Sequence, residues 1–377
     1  MISLRSEHLQ ATQREFSAAL TLPGAVYSDA EIFSLEQQGL YGSQWVCVAH
    51  LSALPARGAY VVRQIGRESI AIVRGDDDSL RAFHNVCRHR GSRLLDNASG
   101  SGLARITCPY HAWSYQLDGR LLAAPQAGAQ LDRPGLCLLQ VQLDTHAGLI
   151  FVNLDSNAVP LAECLRELPD LSRFKIPALK IGRRLEYDVA ANWKLICENY
   201  SECYHCPGAH PQLHQLTELI GRNERPMEVG ACFNGGPMRL RDGITTMSSS
   251  GQRQLPLLPG LSAAERRQVH YYVVYPNLLL SPHPDYVMMH TLWPRGPGRT
   301  QVICEWLVTD EALSASAPAY DDVIGFWDRV NREDWVLCER TQLGVSSSGY
   351  RPGPYQTAED CVHMFDRWYA DRLAALL

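Results

Sequence analysis

The chain has 377 residues, 46% hydrophobic and 20% charged, with a net charge of −5. That length can hold two ordinary domains and a large core, and the balance of charge gives no footing for nucleic acid. The opening residues MISLRSEHLQATQREF lack an apolar secretory core, and no apolar run is long enough to span a bilayer. A cytoplasmic address is therefore expected, with no membrane and no nucleic acid among the partners.

In chain order, EHLQATQREFSAAL predicts a first helix, and SDAEIFSLEQQGLY, with its acid-rich start, a second. Residues 1–42 form an N-terminal helical segment expected to pack on the C-terminal domain. From Trp45 the texture changes. AYVVRQI, SIAIVRG, SLRAFHN, ARITCPY, HAWSYQL and GLIFVNLD are short β-branched and aromatic runs, parted by turn residues. They predict a small antiparallel β-domain over 43–155. A helical connector, PLAECLRELPDLSRF, opens the region 156–377. There LEYDVAANWKL reads as a strand entering a helix. VHYYVVYPNLLLSP, YVMMHTLWP and TQVICEWLVTD read as consecutive strands. DDVIGFWDRVNREDWVLCERTQL and AEDCVHMFDRWYADRLAAL read as amphipathic helices. The fold class is α+β: the small β-domain, then an antiparallel sheet covered by helices.

The chain has twelve cysteines, too few for its length to suggest a disulfide scaffold. Free thiols are expected, with a few recruited to metal. NVCRHRGS and CPYHAWSY supply Cys87-x-His89 and Cys108-x-x-His111, each in a loop between strands. Zinc takes two cysteines and two histidines tetrahedrally. A Rieske [2Fe–2S] cluster takes two thiolates on one iron and two imidazoles on the other. One cysteine and one histidine per loop suits the cluster, because each loop then reaches both irons. A structural zinc site is the alternative.

The second motif is ENYSECYHCPGAHPQL, residues 198–213. On a helix Glu198, Glu202 and His205 would share a face. His205 and His210 are separated by about 140° of helical rotation, so both can face one ion only if the helix stops between them. Pro207 and Gly208 are expected to supply that break. Two histidines and one carboxylate leave positions open for O2, the donor set of mononuclear Fe(II) oxygenases. The carboxylate is sought in the helix over 321–343, whose apolar stripe runs Val323, Trp327, Val330, Leu337, Thr341. Asp334 falls within that stripe, where a bare carboxylate is costly unless paired or bound to metal. Glu333, at its edge, is the runner-up. Cys203 and Cys206 are read as small packing residues, His214 as solvated or hydrogen-bonding, and Asp328 and Glu339 as solvated helix charges.

CRHRG followed by CPYHAWSYQLDG, with NWKLICENYSECYHCPGAH, resembles the Rieske non-haem iron oxygenases over nearly the whole chain. That family usually has glycine where Ala112 stands. The resemblance implies a Rieske [2Fe–2S] domain, a START-like catalytic domain holding mononuclear Fe(II), a separate flavin/[2Fe–2S] reductase, O2 and a small-molecule substrate. It implies a head-to-tail homotrimer, in which Glu202 bridges His205 to the cluster histidine His111 of the neighbouring subunit. Glutamate in place of the usual aspartate at 202 resembles a branch that oxidises glycine betaine and carnitine. For that branch an N-methyl group is hydroxylated and formaldehyde is lost. Hydroxylation of an aromatic substrate, or plain electron transfer, are the alternatives. A quaternary ammonium group favours aromatic walls. Tyr200, Tyr204, Phe233, Tyr271 and Tyr275 are the candidates, with Tyr272 and Trp293 beside them.

Overall fold

The computed structural model describes residues 4–127, 131, 133–218, 227–314 and 317–377. The chain divides into two compact units, one formed by residues 41–161 and one by residues 1–40 together with 162–377. Among the described residues no helix is long and apolar enough to cross a membrane.

The smaller unit is an antiparallel sheet ordered Val46–His50, Leu149–Asn153, Gln140–His146, Leu80–His84, Glu68–Arg74, Tyr60–Ile65, Ser99–Gly100. A three-stranded sheet, Ile106–Thr107, Ser114–Tyr115 and Leu121–Ala123, stands with it. Phe83, Tyr115, Leu117 and Trp113 fill its core. The edge strand Val46–His50 and the strand Gln140–His146 are additions to the sequence reading. The second has charged and polar residues on both faces, so its period of two is weak.

The larger unit carries a seven-stranded antiparallel sheet ordered Lys180–Val189, Arg299–Val308, Val287–Gly296, Leu278–Pro282, Gln268–Val274, Phe233–Arg239, Glu228–Gly230. The run VHYYVVYPNLLLSP is two of these strands, parted at a cis Tyr275–Pro276 bond. Gly235 lies where a Cβ would fall 2.0 Å from the Tyr271 carbonyl oxygen, which lets the neighbouring strand close up. The helices Trp193–Tyr200, Ala317–Val345 and Asp360–Ala374 accompany the sheet. Asn192 caps the first, accepting from the Lys194 backbone N–H at 3.0 Å.

The N-terminal segment corrects one expectation. EHLQATQREFSAAL forms only the 3-10 turns Ser6–Leu9 and Phe16–Ala18. Its polar residues are spread over all helical faces, and so short a segment without an apolar stripe does not hold a helix. The second expected helix forms at Ala30–Leu35, with the Asp29 carboxylate accepting from the Glu31 and Ile32 N–H groups. It continues as a π-turn over Glu36–Leu40. The connector is likewise reduced, to single turns at Leu161–Cys164 and Ser172–Phe174.

Glu36 fastens this segment to the unit's interior. Its carboxylate takes the Lys194 ammonium at 2.7 Å and the Trp193 indole N–H at 3.1 Å, and the Tyr369 hydroxyl donates to it as well. Glu36 and Lys194 are wholly buried. The ammonium also lies over the rings of Tyr369, Trp193 and Tyr27. Thus one carboxylate joins the N-terminal segment, the helix Trp193–Tyr200 and the C-terminal helix. Removing one partner of such a pair leaves a buried charge, at a cost of about 3–5 kcal/mol. Lys194→Met should therefore lower the thermal midpoint of the purified protein sharply, and adding Glu36→Gln should recover much of the loss. A single variant as stable as wild type contradicts this account.

Candidate metal centres and substrate cleft

In the smaller unit two loops present the first candidate ligands. Thr107 pairs with Ser114, closing the loop of Cys108 and His111. A bridge from Val86 to Arg93 closes the loop of Cys87 and His89. Gly91 at φ 76° turns the first loop and Ala112 at φ 57° the second. That left-handed position explains why glycine is usual at 112 in the resembling sequences, and alanine there costs about 1 kcal/mol. The two thiols are buried, while His89 is exposed and His111 half-buried. The imidazole centroids stand 4.8 Å apart, and His89 stacks on Trp113 at 4.7 Å. The Tyr115 hydroxyl lies 3.3 Å from Cys87 Sγ. Burial pushes the Cys108 thiol up, but backbone N–H groups of Tyr110 and His111 outweigh burial and leave it below its ordinary value. Donors aimed at sulfur favour thiolate, the form that binds iron.

Among the described residues one group of three or more metal-binding atoms converges within 4.8 Å, and it lies in the larger unit: His205, His210 and Asp334. The two thiols and two imidazoles of the smaller unit do not gather so tightly. A single tetrahedral zinc would require that they did. The spread donor set fits a two-iron cluster instead, thiols inward and imidazoles outward.

The larger unit's triad is built from two segments. The helix Trp193–Tyr200 ends at Ser201, whose N–H reaches the Cys197 and Glu198 carbonyls. The break thus comes before His205, and earlier than the Pro-Gly pair. Pro207 instead opens the next single turn, Cys206–Ala209, where its missing N–H is no loss. Gly208 has no contact that a Cβ would disturb. What bends the chain is Glu202. Its carboxylate accepts from the Tyr204 N–H, and from the His205 N–H at 3.1 Å, so it folds the 202–205 link that leads into the next turn. Glu198 faces the opposite way, accepting from the Tyr27 hydroxyl at 2.8 Å. It is half-buried, and desolvation pushes its carboxyl up to about 7.

Asp334 comes from the helix Ala317–Val345. Its Oδ1 lies 2.8 Å from His210 Nε2 and 3.3 Å from His205 Nε2. The opposite ring nitrogens are occupied: His205 Nδ1 meets Glu202 Oε1 at 2.6 Å, and His210 Nδ1 meets Glu333 Oε2 at 2.7 Å. Glu333, the runner-up from sequence, is therefore on the far side of His210 from Asp334. Carboxylates on both Nδ1 atoms place the Nε2 lone pairs toward the gap that Asp334 borders. Two imidazole nitrogens and one carboxylate oxygen are the donor set that suits ferrous iron with open positions.

The helix face is slightly rotated from the expected stripe. Val323, Trp327 and Val330 are buried, but Thr341 is exposed, and Cys338 and Gln342 are buried instead. A straight helix drifts from a strict seven-residue repeat, so the inward position moves one residue on. Asp328 and Glu339 are also tied down: Asp328 accepts from the Tyr187 hydroxyl at 2.9 Å, and Glu339 from the Ala190 N–H at 3.0 Å.

A cleft of about 620 Å³, measured to its open mouth, adjoins the triad. Tyr200, Tyr271 and Trp327 form its aromatic walls. Tyr271 stands edge-on to Tyr200 at 5.9 Å and to Trp327 at 6.5 Å. The Tyr200 hydroxyl is held by Ser281 Oγ at 2.6 Å, and the Trp327 indole N–H by the Tyr286 hydroxyl at 2.6 Å. The sequence reading had counted Trp327 only as core. Tyr204, a candidate wall, is instead 63% exposed and absent from the cleft. The tight link folded by Glu202 throws its side chain outward. Phe233 and Tyr275 line a separate cavity with Trp368. Their strand positions place them at the other end of the sheet from the triad-bearing helix. Trp293 is buried with its indole N–H on Thr291, and Tyr272 donates to Glu228 at 2.5 Å.

Residues 44–142 match the Rieske [2Fe-2S] domain, and residues 176–375 match the ring hydroxylating alpha subunit (catalytic domain). This chain belongs to the Rieske non-haem iron oxygenases. It is 34% identical over 390 residues to the glycine betaine monooxygenase oxygenase subunit of Chromohalobacter salexigens, covering 95% of this chain and 86% of that one. To the carnitine monooxygenase oxygenase subunit of Escherichia coli K12 it is 34% identical over 345 residues, 88% of this chain and 86% of that one. Its structure resembles the quaternary ammonium Rieske monooxygenase CntA in complex with L-carnitine. There the TM-score is 0.79 at 26% identity, over 99% of both chains. Like its family, the chain is an O2-dependent oxidoreductase with a Rieske [2Fe–2S] cluster and a mononuclear iron.

The electrostatics of the triad carry a prediction. Burial alone would lower His205, but the Asp334 and Glu202 carboxylates outweigh it and push its pKa up to about 10. His210 is raised and Asp334 lowered by the same contacts, against burial. Metal-free protein at neutral pH thus holds imidazolium charge where the cation goes. Binding Fe(II) must expel it, so affinity falls as pH falls below that value, by about tenfold per pH unit for each proton released. Anaerobic Fe(II) titrations of metal-free protein between pH 6 and 8 read this slope. A flat dependence would show that the imidazoles start neutral.

Proposed function

We propose that the chain is the oxygenase component of a monooxygenase that hydroxylates an N-methyl group of a glycine betaine-like quaternary ammonium compound. The carbinolamine so formed would lose formaldehyde and leave the demethylated amine. The observation that carries this reading is the aromatic wall Tyr200, Tyr271 and Trp327 standing beside the His205, His210, Asp334 triad. Glu202 and Asp334 are the acidic members of the lining. Aromatic faces and carboxylates attract a permanent cation, each desolvated ring contributing up to about 2 kcal/mol. The names of the relatives, glycine betaine and carnitine monooxygenases, support the same class. The resemblance to naphthalene 1,2-dioxygenase, at 21% identity, speaks for the fold alone.

In this reading His205, His210 and Asp334 hold the mononuclear iron, and Cys87, His89, Cys108 and His111 hold the cluster. The bound iron supplies O2 activation next to the substrate. The residues do the rest. Glu202 and Glu333 orient the two imidazoles, the tyrosine and tryptophan rings hold the ammonium group, and the buried walls exclude water from the methyl group. Glu202 also serves as the electron bridge toward His111 of the neighbouring subunit in a head-to-tail homotrimer. A quaternary ammonium Rieske monooxygenase of similar structure, at 27% identity, has been described in terms of inter-subunit electron transfer. A separate flavin/[2Fe–2S] reductase supplies the electrons, in the cytoplasm. The functional domains in this proposal are the N-terminal segment 1–42, the Rieske domain 43–155 and the catalytic domain 156–377.

The class is tested by oxygen consumption and formaldehyde release with a surrogate reductase, across glycine betaine, carnitine, choline and several aromatic acids. Formaldehyde matching O2 for a quaternary amine supports the proposal, and turnover of an aromatic acid alone sinks it. Trp327→Leu should raise KM for the quaternary amine about tenfold or more with a smaller change in kcat. An uncharged tert-butyl isostere of the substrate should bind wild type correspondingly weakly. Equal binding of the isostere would remove cation–π attraction from the account.

The bridge is tested separately. Glu202→Ala should keep the cluster's visible absorbance and the second iron, yet stop reoxidation of the reduced cluster in a single turnover. His205→Ala should keep the absorbance and lose turnover. Unchanged reoxidation in Glu202→Ala would leave that residue an orienting partner of His205 only.

A further inference from the structure

Cys203 and Cys206 form a disulfide, whereas the other ten cysteines are free thiols. The pair occupies a particular place. The ring it closes contains Tyr204 and His205, and Glu202 immediately precedes it. Both cysteines line the cleft. Cys206 is buried and Cys203 half-buried. The same four-residue turn is also held by the Glu202 carboxylate on the Tyr204 and His205 N–H groups and on His205 Nδ1, and by the Cys206 N–H on the Cys203 carbonyl at 3.2 Å. The covalent ring thus adds to a carboxylate clasp and backbone hydrogen bonds in fixing the direction of His205 Nε2.

We propose that Cys203 and Cys206 are a reversible redox-modification site that sets how firmly the mononuclear iron is held. In the disulfide form the short ring removes backbone freedom from the turn, so His205 is preorganised for the metal. In the dithiol form the Glu202 clasp and the turn's backbone hydrogen bonds remain, without the covalent restraint. Loss of an orienting partner around a metal ligand costs about 10- to 100-fold in affinity.

The oxidant is a hydroperoxide, with hydrogen peroxide the simplest. Cys203, the more accessible sulfur, attacks as thiolate. An S–O bond forms, the O–O bond breaks, and the departing hydroxide takes up a proton as water. The Cys206 sulfur then attacks that sulfur. The S–S bond forms, the S–O bond breaks, and the oxygen leaves with the remaining thiol proton as a second water. Two thiols and one peroxide thus give one disulfide and two waters. A dithiol reductant reverses the step by exchange and becomes a disulfide itself.

This proposal rests on reading His205 as an iron ligand. The test uses the full-length protein loaded with both iron centres and divided in two. One half is treated with hydrogen peroxide and the other with dithiothreitol, and each is desalted anaerobically. Peptide mapping without reduction should find the 203–206 cross-link in the first half and alkylated thiols in the second. Release of iron to a ferrous chelator is then followed with ascorbate present in both halves, which returns any peroxide-oxidised iron to the ferrous state and leaves the disulfide intact, while cluster absorbance shows that the cluster stays intact. The dithiol form should release the second iron at least about tenfold faster. Cys203→Ser and Cys206→Ser should each release it at the fast rate after either treatment. Equal release from the two wild-type forms, or no cross-link after peroxide, overturns the proposal. Chelator-accessible iron absent from both forms, despite loading, overturns the His205 assignment as well.

Discussion

A carboxylate half-buried among apolar helix neighbours calls for matching positive charge, and the larger unit is arranged around that requirement at Asp334. One oxygen of Asp334 faces the Nε2 atoms of both His205 and His210. Those imidazoles are in turn backed by Glu202 and Glu333 on their Nδ1 atoms. Three carboxylates thus surround two imidazoles. The three carboxylates carry three negative charges, and protonation of both imidazoles or a divalent cation between them reduces the excess to one. The raised histidines and the lowered Asp334 express that demand for a cation. A site that must be satisfied by either protons or a metal binds metal with release of protons.

Holding so charged a cluster in place requires supports that do not yield. The helix Trp193–Tyr200 brings the histidine-bearing turn, and it is anchored by the buried Lys194–Glu36 pair. On another face half-buried Glu198 neighbours buried Asp366, whose carboxyl is pushed well up by burial and by Glu198 itself. Tyr27 and Tyr355 donate to the two carboxylates. Two desolvated carboxyls side by side hold a proton between them, since both do not ionise readily there. Both clusters draw partners from the N-terminal segment and the C-terminal helix. Residues far from the triad in sequence therefore anchor the helix that leads into the His205 turn.

Much of this was legible in the chain. The strands of both units followed their β-branched and aromatic runs between turn residues, and the long helix announced itself by its stripe. Asp334 stood out because a carboxylate lay where only apolar residues belonged, and the structure sets that residue against both histidines. The ligand-bearing loops of the smaller unit were readable because cysteine and histidine recur at tight spacing. Other features were not legible, for definite reasons. The N-terminal helix was expected from propensity, but its residues offer no continuous apolar face, and tertiary bonds at Glu36 decide its path. The helix break was assigned to Pro207 and Gly208, the residues with the strongest local signal. The actual bend follows from a carboxylate reaching forward to two backbone N–H groups, which composition does not display. Trp327 was counted as core since a buried tryptophan at helical spacing looks alike whether it meets the sheet or a cleft. Tyr204 was counted as wall because it neighbours a ligand, yet adjacent residues in a tight turn point in opposite directions.

The cleft follows from the same charge logic as the metal site. Carboxylates that orient the imidazoles also leave a negative field at the mouth, and low-dielectric aromatic walls carry that field into the cleft. A neutral aromatic substrate would gain nothing from it, and an anionic one would be repelled on entry. A ligand with a fixed positive charge and apolar methyl groups gains twice, from the field and from the ring faces, without needing a hydrogen-bond donor at its charged end. It also has no proton to surrender to the carboxylates, so it leaves their charge available to the iron ligands. On the proposed reading, the constraint that organises the triad is also the one that selects the kind of molecule that lies beside it.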